Sequence, residues 1–227
     1  MVTSYVRNAT CQRNAAKECP LPSKALHKPR VGIYSGAFDP VHAGHVAFAL
    51  QALEQANLDE LVFLPERRPR GKPSVEHYAH RVAMIKRALQ PHAALSVMEM
   101  VEATYSVTRT LPSLRQVYRG ADLVMIVGSD VALGVQQWPH VKQLLRCVEL
   151  VVGVRSQHEH HAVEAAIDSW KIQPRALHII DSFASDVSSS QIREALREDK
   201  RTKGLLMSVE RYARREWLYV SPGTITR

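Results

Sequence analysis

Two histidines three residues apart, in His42-Ala43-Gly44-His45, have the spacing to act together on one small ligand. Three residues is close to one helical turn, so both rings can face the same way from a helix start. The flanking residues predict that setting. Val31, Ile33 and Tyr34 read as a short buried strand, Ser35 and Gly36 break it, and Pro40 re-aims the chain. From Gly44 the pattern turns helical, with Val46, Ala47, Leu50 and Leu53 recurring on one face. Strand, tight turn and helix place the histidines at the carboxyl end of a strand, where open parallel sheets bind ligands. The helix start there offers free N–H groups and a partial positive charge, which suit phosphate.

A second helix start has related chemistry. In Ser188-Ser189-Ser190-Gln191-Ile192-Arg193 one serine suffices as a cap, and three exceed that need. Hydroxyls and N–H groups, with Arg193 in the first turns, make a second anion cradle. Alone, the stretch is explained by an ordinary cap and a surface arginine. Paired with the histidine turn, it reads as the other half of a polyphosphate site.

The elements that must position these residues alternate along the chain. Strands are predicted at 60–64, 95–98, 123–127, 148–154 and 177–180. Helices are predicted at 78–89, from about Thr110 to 118, at 162–172, from Ser188, and at 208–219. Pro112 suits a first helical turn. The unbroken apolar run Leu123 to Val127 is that of a strand covered on both faces. Such alternation predicts an α/β fold: a single Rossmann-like, doubly wound domain over 31–219, with a mostly parallel sheet, helices on both faces and a helical C-terminal portion. A flexible basic extension (1–30, with Pro20, Pro22 and Pro29) and a short tail (220–227) flank it.

Composition narrows the function. With 227 residues, 45% of them hydrophobic, the chain can bury one good core. No apolar run is long enough to cross a membrane, and residues 1–30 lack the apolar core of a signal peptide. Cys11, Cys19 and Cys147 form neither a metal spacing nor an even framework, which predicts a reducing, cytoplasmic setting. The net charge is +8, but residues 1–30 hold +5 of it, leaving +3 for the rest. Part of that remainder is the run Arg67, Arg68, Arg70 and Lys72. A basic loop beside a phosphate site explains it better than a nucleic-acid face. His158-Glu159-His160-His161 is not a metalloprotease motif and falls in a predicted polar loop, so no metal site is expected there.

The histidine block, with Gly36-Ala37-Phe38-Asp39-Pro40 before it, resembles the nucleotidyltransferases that carry an H-x-G-H signature. The serine block resembles the S-S-T-x-I-R signature of nicotinate and nicotinamide mononucleotide adenylyltransferases. Weaker matches lie between in the right order: Thr104-Tyr105-Ser106 with Thr110-Leu111, Gly128-Ser129-Asp130 with Trp138, and Val154-Arg155. Val209, Tyr212 and Leu218-Tyr219 resemble the family's closing helix. The resemblance, which covers about 31–219, is to the bacterial nicotinate-mononucleotide type.

That resemblance implies adenylyl transfer from ATP to nicotinate mononucleotide, with magnesium accompanying ATP and neither nucleic acid nor membrane as a partner. It implies His42 and His45 at the reacting phosphates, with Gly36, Ala37, Phe38 and Gly44 shaping that turn. Ser188, Ser189 and Arg193 are implied at the β- and γ-phosphates, and Gly128 and Asp130 at the adenosine ribose. Lys72, with Arg67 or Arg68, is implied at the acceptor phosphate, and Thr104 and Arg155 also on the acceptor side. Trp138 has two readings, a stack on the pyridine ring or an anchor for its loop. No protein metal ligand is implied, and Asp39 is read as shaping the turn. The family's P-P-H-K loop appears here as Pro69-Arg70-Gly71-Lys72, which leaves nicotinate against nicotinamide open. Ala37 stands where relatives often have Thr or Ser, so a phosphate contact there would come from the backbone. Alternatives are a phosphopantetheine adenylyltransferase, a cytidylyltransferase or a non-catalytic nucleotide sensor. The sequence leaves open a homo-oligomer.

Overall fold

The structure, a computed structural model, describes residues 27–181 and 187–220. Six strands form one sheet in the order β3-β2-β1-β4-β5-β6. They are β1 (Arg30–Gly36), β2 (Glu60–Pro65), β3 (Leu95–Val97), β4 (Asp122–Gly128), β5 (Glu149–Val154) and β6 (Leu177–Asp181). Every pairing is parallel. The chain first winds outward from β1 to β3, then restarts beside β1 with β4, so the winding direction reverses between β1 and β4. Such a reversal opens a crevice at the carboxyl ends of the strands.

Alternation of side chains divides the core. Leu61, Phe63, Val124, Ile126 and Val151 face one layer, built by α1 (Ala43–Gln55), α2 (Tyr78–Leu89), α7 (Ser189–Arg197) and α8 (Met207–Arg215). Val62, Leu64, Leu123, Met125, Leu150 and Val152 face the other. There lie α3 (Thr110–Val117), α4 (Ser129–Gly134), α5 (Val141–Cys147) and α6 (Gln157–Asp168). Burial on both faces is what makes these strands read as unbroken apolar runs.

The structure departs from the sequence expectations in places. Helix α6 begins at Gln157, not at 162, so His158-Glu159-His160-His161 forms its first turn and is not a polar loop. Ser156 caps it, its hydroxyl accepting from the Glu159 N–H at 3.2 Å. Helices α4 and α5 were not anticipated at all. Arg30, assigned to the extension, is the first residue of β1. The rest of that extension lies outside the described residues as far as residue 26, as does the tail from 221.

Arg30 also makes a two-pronged ion pair at the end of the sheet remote from the strands' carboxyl ends. Its guanidinium grips Glu149 with two bonds, 3.0 and 2.7 Å, from β1 across to β5. The Glu149 side chain is 10% exposed, so losing its partner leaves a charge largely shielded from water. Arg30→Ala is therefore expected to lower unfolding stability by about 1–3 kcal/mol. Urea titration measures this, and a parent-like midpoint would show that the pair does not hold this end of the sheet.

Candidate active site

The site begins at the turn after β1. Phe38 adopts a left-handed backbone, φ 51°, which swings its ring into the core against Tyr34, His45 and Phe63. Gly36, Ala37 and Phe38 thus build the turn from behind. Asp39 and His42 face a cavity of about 430 Å³. His42 is the N-cap of α1, and the two histidine rings stack with centroids 3.8 Å apart. The Nδ1 atom of His45 accepts from the His42 backbone N–H at 3.3 Å. That bond puts the His45 proton on Nε2, which leaves the ring a donor on its other side. His42 Nδ1 is buried without a protein partner.

Other segments converge on the same cavity. Gly71, Lys72 and Pro73 come from the β2–α2 loop, Arg155 from the end of β5, and Ser188, Ser189, Ser190 and Arg193 from the start of α7. Ser188 caps α7, its hydroxyl accepting from the Gln191 N–H at 3.2 Å. The Ser189 hydroxyl donates to the Pro40 carbonyl at 3.0 Å, and the Arg193 guanidinium to the Asp39 carbonyl at 2.7 Å. These two bonds lock the α7 start against the histidine turn. A smaller cavity of about 70 Å³ continues from the histidines, past Gly44 and Arg155, to Gly128 and Gly153. There a Gly153 Cβ would lie 2.5 Å from the Phe48 ring, so only glycine leaves that floor open. Asp130 sits in the first turn of α4, exposed, beside Gly128. A separate cavity of about 170 Å³ is lined by Arg70, Tyr105, Ser106, Trp138 and neighbours. Thr104 stands one residue before that lining. Seven of the residues singled out in the sequence (His42, His45, Lys72, Arg155, Ser188, Ser189 and Arg193) therefore share one cavity, and Trp138 stands at another.

Electrostatics fits an anion site. Burial, reinforced by the Arg155 cation, pushes His42 down to about 4. Burial holds His45 well below its ordinary value, with His42, Lys72 and Arg155 adding to the effect. Both rings are neutral at pH 7 in the free protein, while Lys72, Arg155 and Arg193 supply positive charge. Among the described residues no three His, Cys, Asp or Glu side chains are grouped to hold a metal ion.

The cytidylyltransferase-like family model matches residues 33–195. The chain is 33% identical over 198 residues to the nicotinate-nucleotide adenylyltransferase of Bacillus subtilis (strain 168), covering 85% of this chain and 99% of that protein. The chain belongs to the nicotinate-nucleotide adenylyltransferases. A probable nicotinate-nucleotide adenylyltransferase of Solibacter usitatus is 32% identical over 197 residues, 84% of this chain and 99% of that one. The fold agrees with that of the Plasmodium falciparum nicotinic acid mononucleotide adenylyltransferase complexed with NaAD. The TM-score is 0.70 at 16% identity, over 84% of this chain and 97% of the other.

Two residues of this adenylyltransferase, Arg81 and Glu159, escaped the sequence reading, and Asp39 holds more than its own turn. Arg81 is wholly buried on α2 and donates to four carbonyls: Ala37 at 2.6 Å, Glu66 at 2.8 Å, Glu76 at 2.9 Å and Arg67 at 3.2 Å. It ties the histidine turn to both ends of the basic loop. Asp39, read as a turn former, accepts from the Glu76 N–H at 3.1 Å and the Tyr219 hydroxyl at 2.8 Å, with Arg193 at 3.8 Å. Glu159 accepts from the Arg155 N–H at 2.9 Å and the Ser129 hydroxyl at 2.8 Å, fixing the end of β5 against α4. Its signal was present as Ser156-x-x-Glu159, a helix-start signature. No local pattern marks Arg81.

The histidine shifts have a pH consequence. Folded pKa values below the unfolded one mean that the unfolded chain binds more protons between about pH 6.5 and about pH 4. Stability from these rings is therefore present above that window and falls as the pH drops through it. A His42→Asn/His45→Asn variant should lose less stability than the parent between pH 6.5 and 4, as read by thermal melting. Parallel melting curves would show that the rings are not shielded as described.

Proposed function

We propose that the protein transfers the adenylyl group of ATP to nicotinate mononucleotide, giving deamido-NAD and pyrophosphate. The observation that carries this reading is the convergence of His42, His45, Lys72, Arg155 and Arg193 on one cavity at the carboxyl ends of the strands. The names of the relatives support the choice of acceptor.

An acceptor phosphate oxygen attacks the α-phosphorus, a P–O bond forms, and the bond to the bridging oxygen breaks with its electrons leaving on pyrophosphate. The attacking oxygen is already anionic near neutral pH, so no general base is required. Catalysis then consists of aligning two anions and stabilising charge that moves to the leaving group. In this reading His45 Nε2–H donates to an α-phosphate oxygen, and His42 contacts the neighbouring phosphate. Arg193, Ser188 and Ser189 hold the β- and γ-phosphates, and Lys72 and Arg155 the acceptor side. Gly128 and Asp130 meet the adenosine ribose. Trp138 stacks on the pyridine ring in the aromatic-walled cavity, next to the basic loop. Magnesium belongs to this reading as an ion that would accompany ATP and neutralise phosphate charge, with few protein ligands of its own. A cytoplasmic setting goes with it, supported by the cysteine content.

The test is pyrophosphate release from ATP and magnesium with nicotinate mononucleotide, nicotinamide mononucleotide or 4′-phosphopantetheine as acceptor. The first is expected to be used best. Release only with the third would overturn the acceptor assignment, and ATP binding without release from any of them would favour a nucleotide sensor. His45→Ala should lower turnover by about 10²–10³-fold, the cost of one transition-state donor, without altering the melting curve by more than a few degrees. Parent-like turnover would remove His45 from the mechanism.

A further inference from the structure

The aromatic cavity beside the basic loop has one charged wall. Arg70 leaves the loop one residue before the Gly71-Lys72 pair that lines the phosphate cavity. Its side chain turns the other way, and its guanidinium donates to the Tyr105 carbonyl at 3.0 Å. It also lies 5.5 Å from the centre of the Trp138 ring. Among the described residues this is its one hydrogen bond, and no carboxylate pairs with it. A guanidinium has five N–H donors in a rigid fork, so most of them stay free for a ligand. The neighbouring arginines of the loop region are differently placed. Arg67 donates to the Met100 carbonyl and stacks on Tyr78, and Arg81 is consumed by backbone carbonyls.

The same cavity has an aromatic wall, in which the Tyr105 and Trp138 rings lie 6.2 Å apart. It thus combines an aromatic platform with a cation that has spare donors. Among the ligands of the proposed reaction, a flat ring bearing an anionic substituent matches both.

We propose that Arg70 is a specificity-determining residue that selects the pyridine carboxylate over the carboxamide. The inference rests on the acceptor reading above. A carboxylate accepts a charge-assisted, two-pronged hydrogen bond from a guanidinium. A carboxamide presents one neutral oxygen and an NH₂ group that meets the guanidinium donor to donor. The same geometry therefore rewards one acceptor and penalises the other, and discrimination of this kind is a difference between two affinities.

The test is the ratio of kcat/KM for nicotinate mononucleotide to that for nicotinamide mononucleotide in the full chain, in the parent, Arg70→Ala and Arg70→Lys. Arg70 is exposed, so its truncation leaves the fold in place, and a melting curve checks this. In Arg70→Ala the ratio should fall roughly ten- to a hundred-fold, the range of one hydrogen bond to a charged group, through a lower nicotinate value with the nicotinamide value unchanged or raised. Arg70→Lys keeps the charge without the fork and should fall between. An unchanged ratio in an active Arg70→Ala variant overturns this inference alone, as does an equal fall with both acceptors. A parent enzyme inactive with both mononucleotides overturns the acceptor reading, and this inference with it.

Discussion

The turn from Gly36 to His42 must be held rigid from inside while its other side faces an anion, and two buried charges of opposite sign do the holding. Asp39 stands under the turn with a backbone N–H, the Tyr219 hydroxyl and Arg193 around its carboxyl group. Arg81 stands behind it and uses its fork on carbonyls of three segments. Burying either charge alone costs several kcal/mol, roughly. Here the cost is offset because every bond fixes a piece of backbone that ends in a cavity-lining side chain. Burial of Arg81 in fact lowers its pKa, against the favourable influence of Asp39. The arrangement therefore trades intrinsic stability for a fixed geometry at the crevice.

Charge in the cavity is split between two kinds of group. Lys72, Arg155 and Arg193 supply the cations of the cavity, whereas the histidines are kept neutral by burial, by Arg155 and, for His45, by His42 and Lys72 as well. A neutral imidazole donates a hydrogen bond without adding repulsion to a cluster of like charges. An anion placed in the cavity shifts the balance toward the protonated ring. Positive character at the histidines is therefore greatest when a phosphate is present to use it.

The order and type of the strands were legible because each is an apolar run of the right length between turn residues, and the histidine turn because its residues sit between a strand and a helix. The serine block was legible as a cap with surplus hydroxyls. What escaped was of two kinds. Helix α6 begins with His158-Glu159-His160-His161, a polar turn whose apolar period starts only at Val163 and Ile167, so the period gave its middle and missed its start. Short helices such as α5 have too few turns for periodicity to declare itself; Leu144 and Leu145 alone mark its buried side. The second kind is tertiary. Arg81 is an arginine in a helix, which by type belongs on a surface, and nothing near it in sequence reveals that the histidine turn and both ends of the basic loop close over it. Phe38 looked like part of the phosphate turn, and its positive φ sends the ring inward instead.

The bond from Tyr219 to Asp39 joins residues 180 positions apart. During synthesis the amino-terminal half of the sheet can pair as soon as it leaves the ribosome, since β1, β2 and β3 are consecutive neighbours. The Asp39 carboxylate then has the Glu76 N–H alone of its bonds, until α7 and the residues after α8 arrive. Contacts of such long range form late, because their loop-closure entropy must be met first. The nucleotide site is thus built from segments in both halves of the described sheet, and a chain that stops before α7 lacks the serine and arginine half of it.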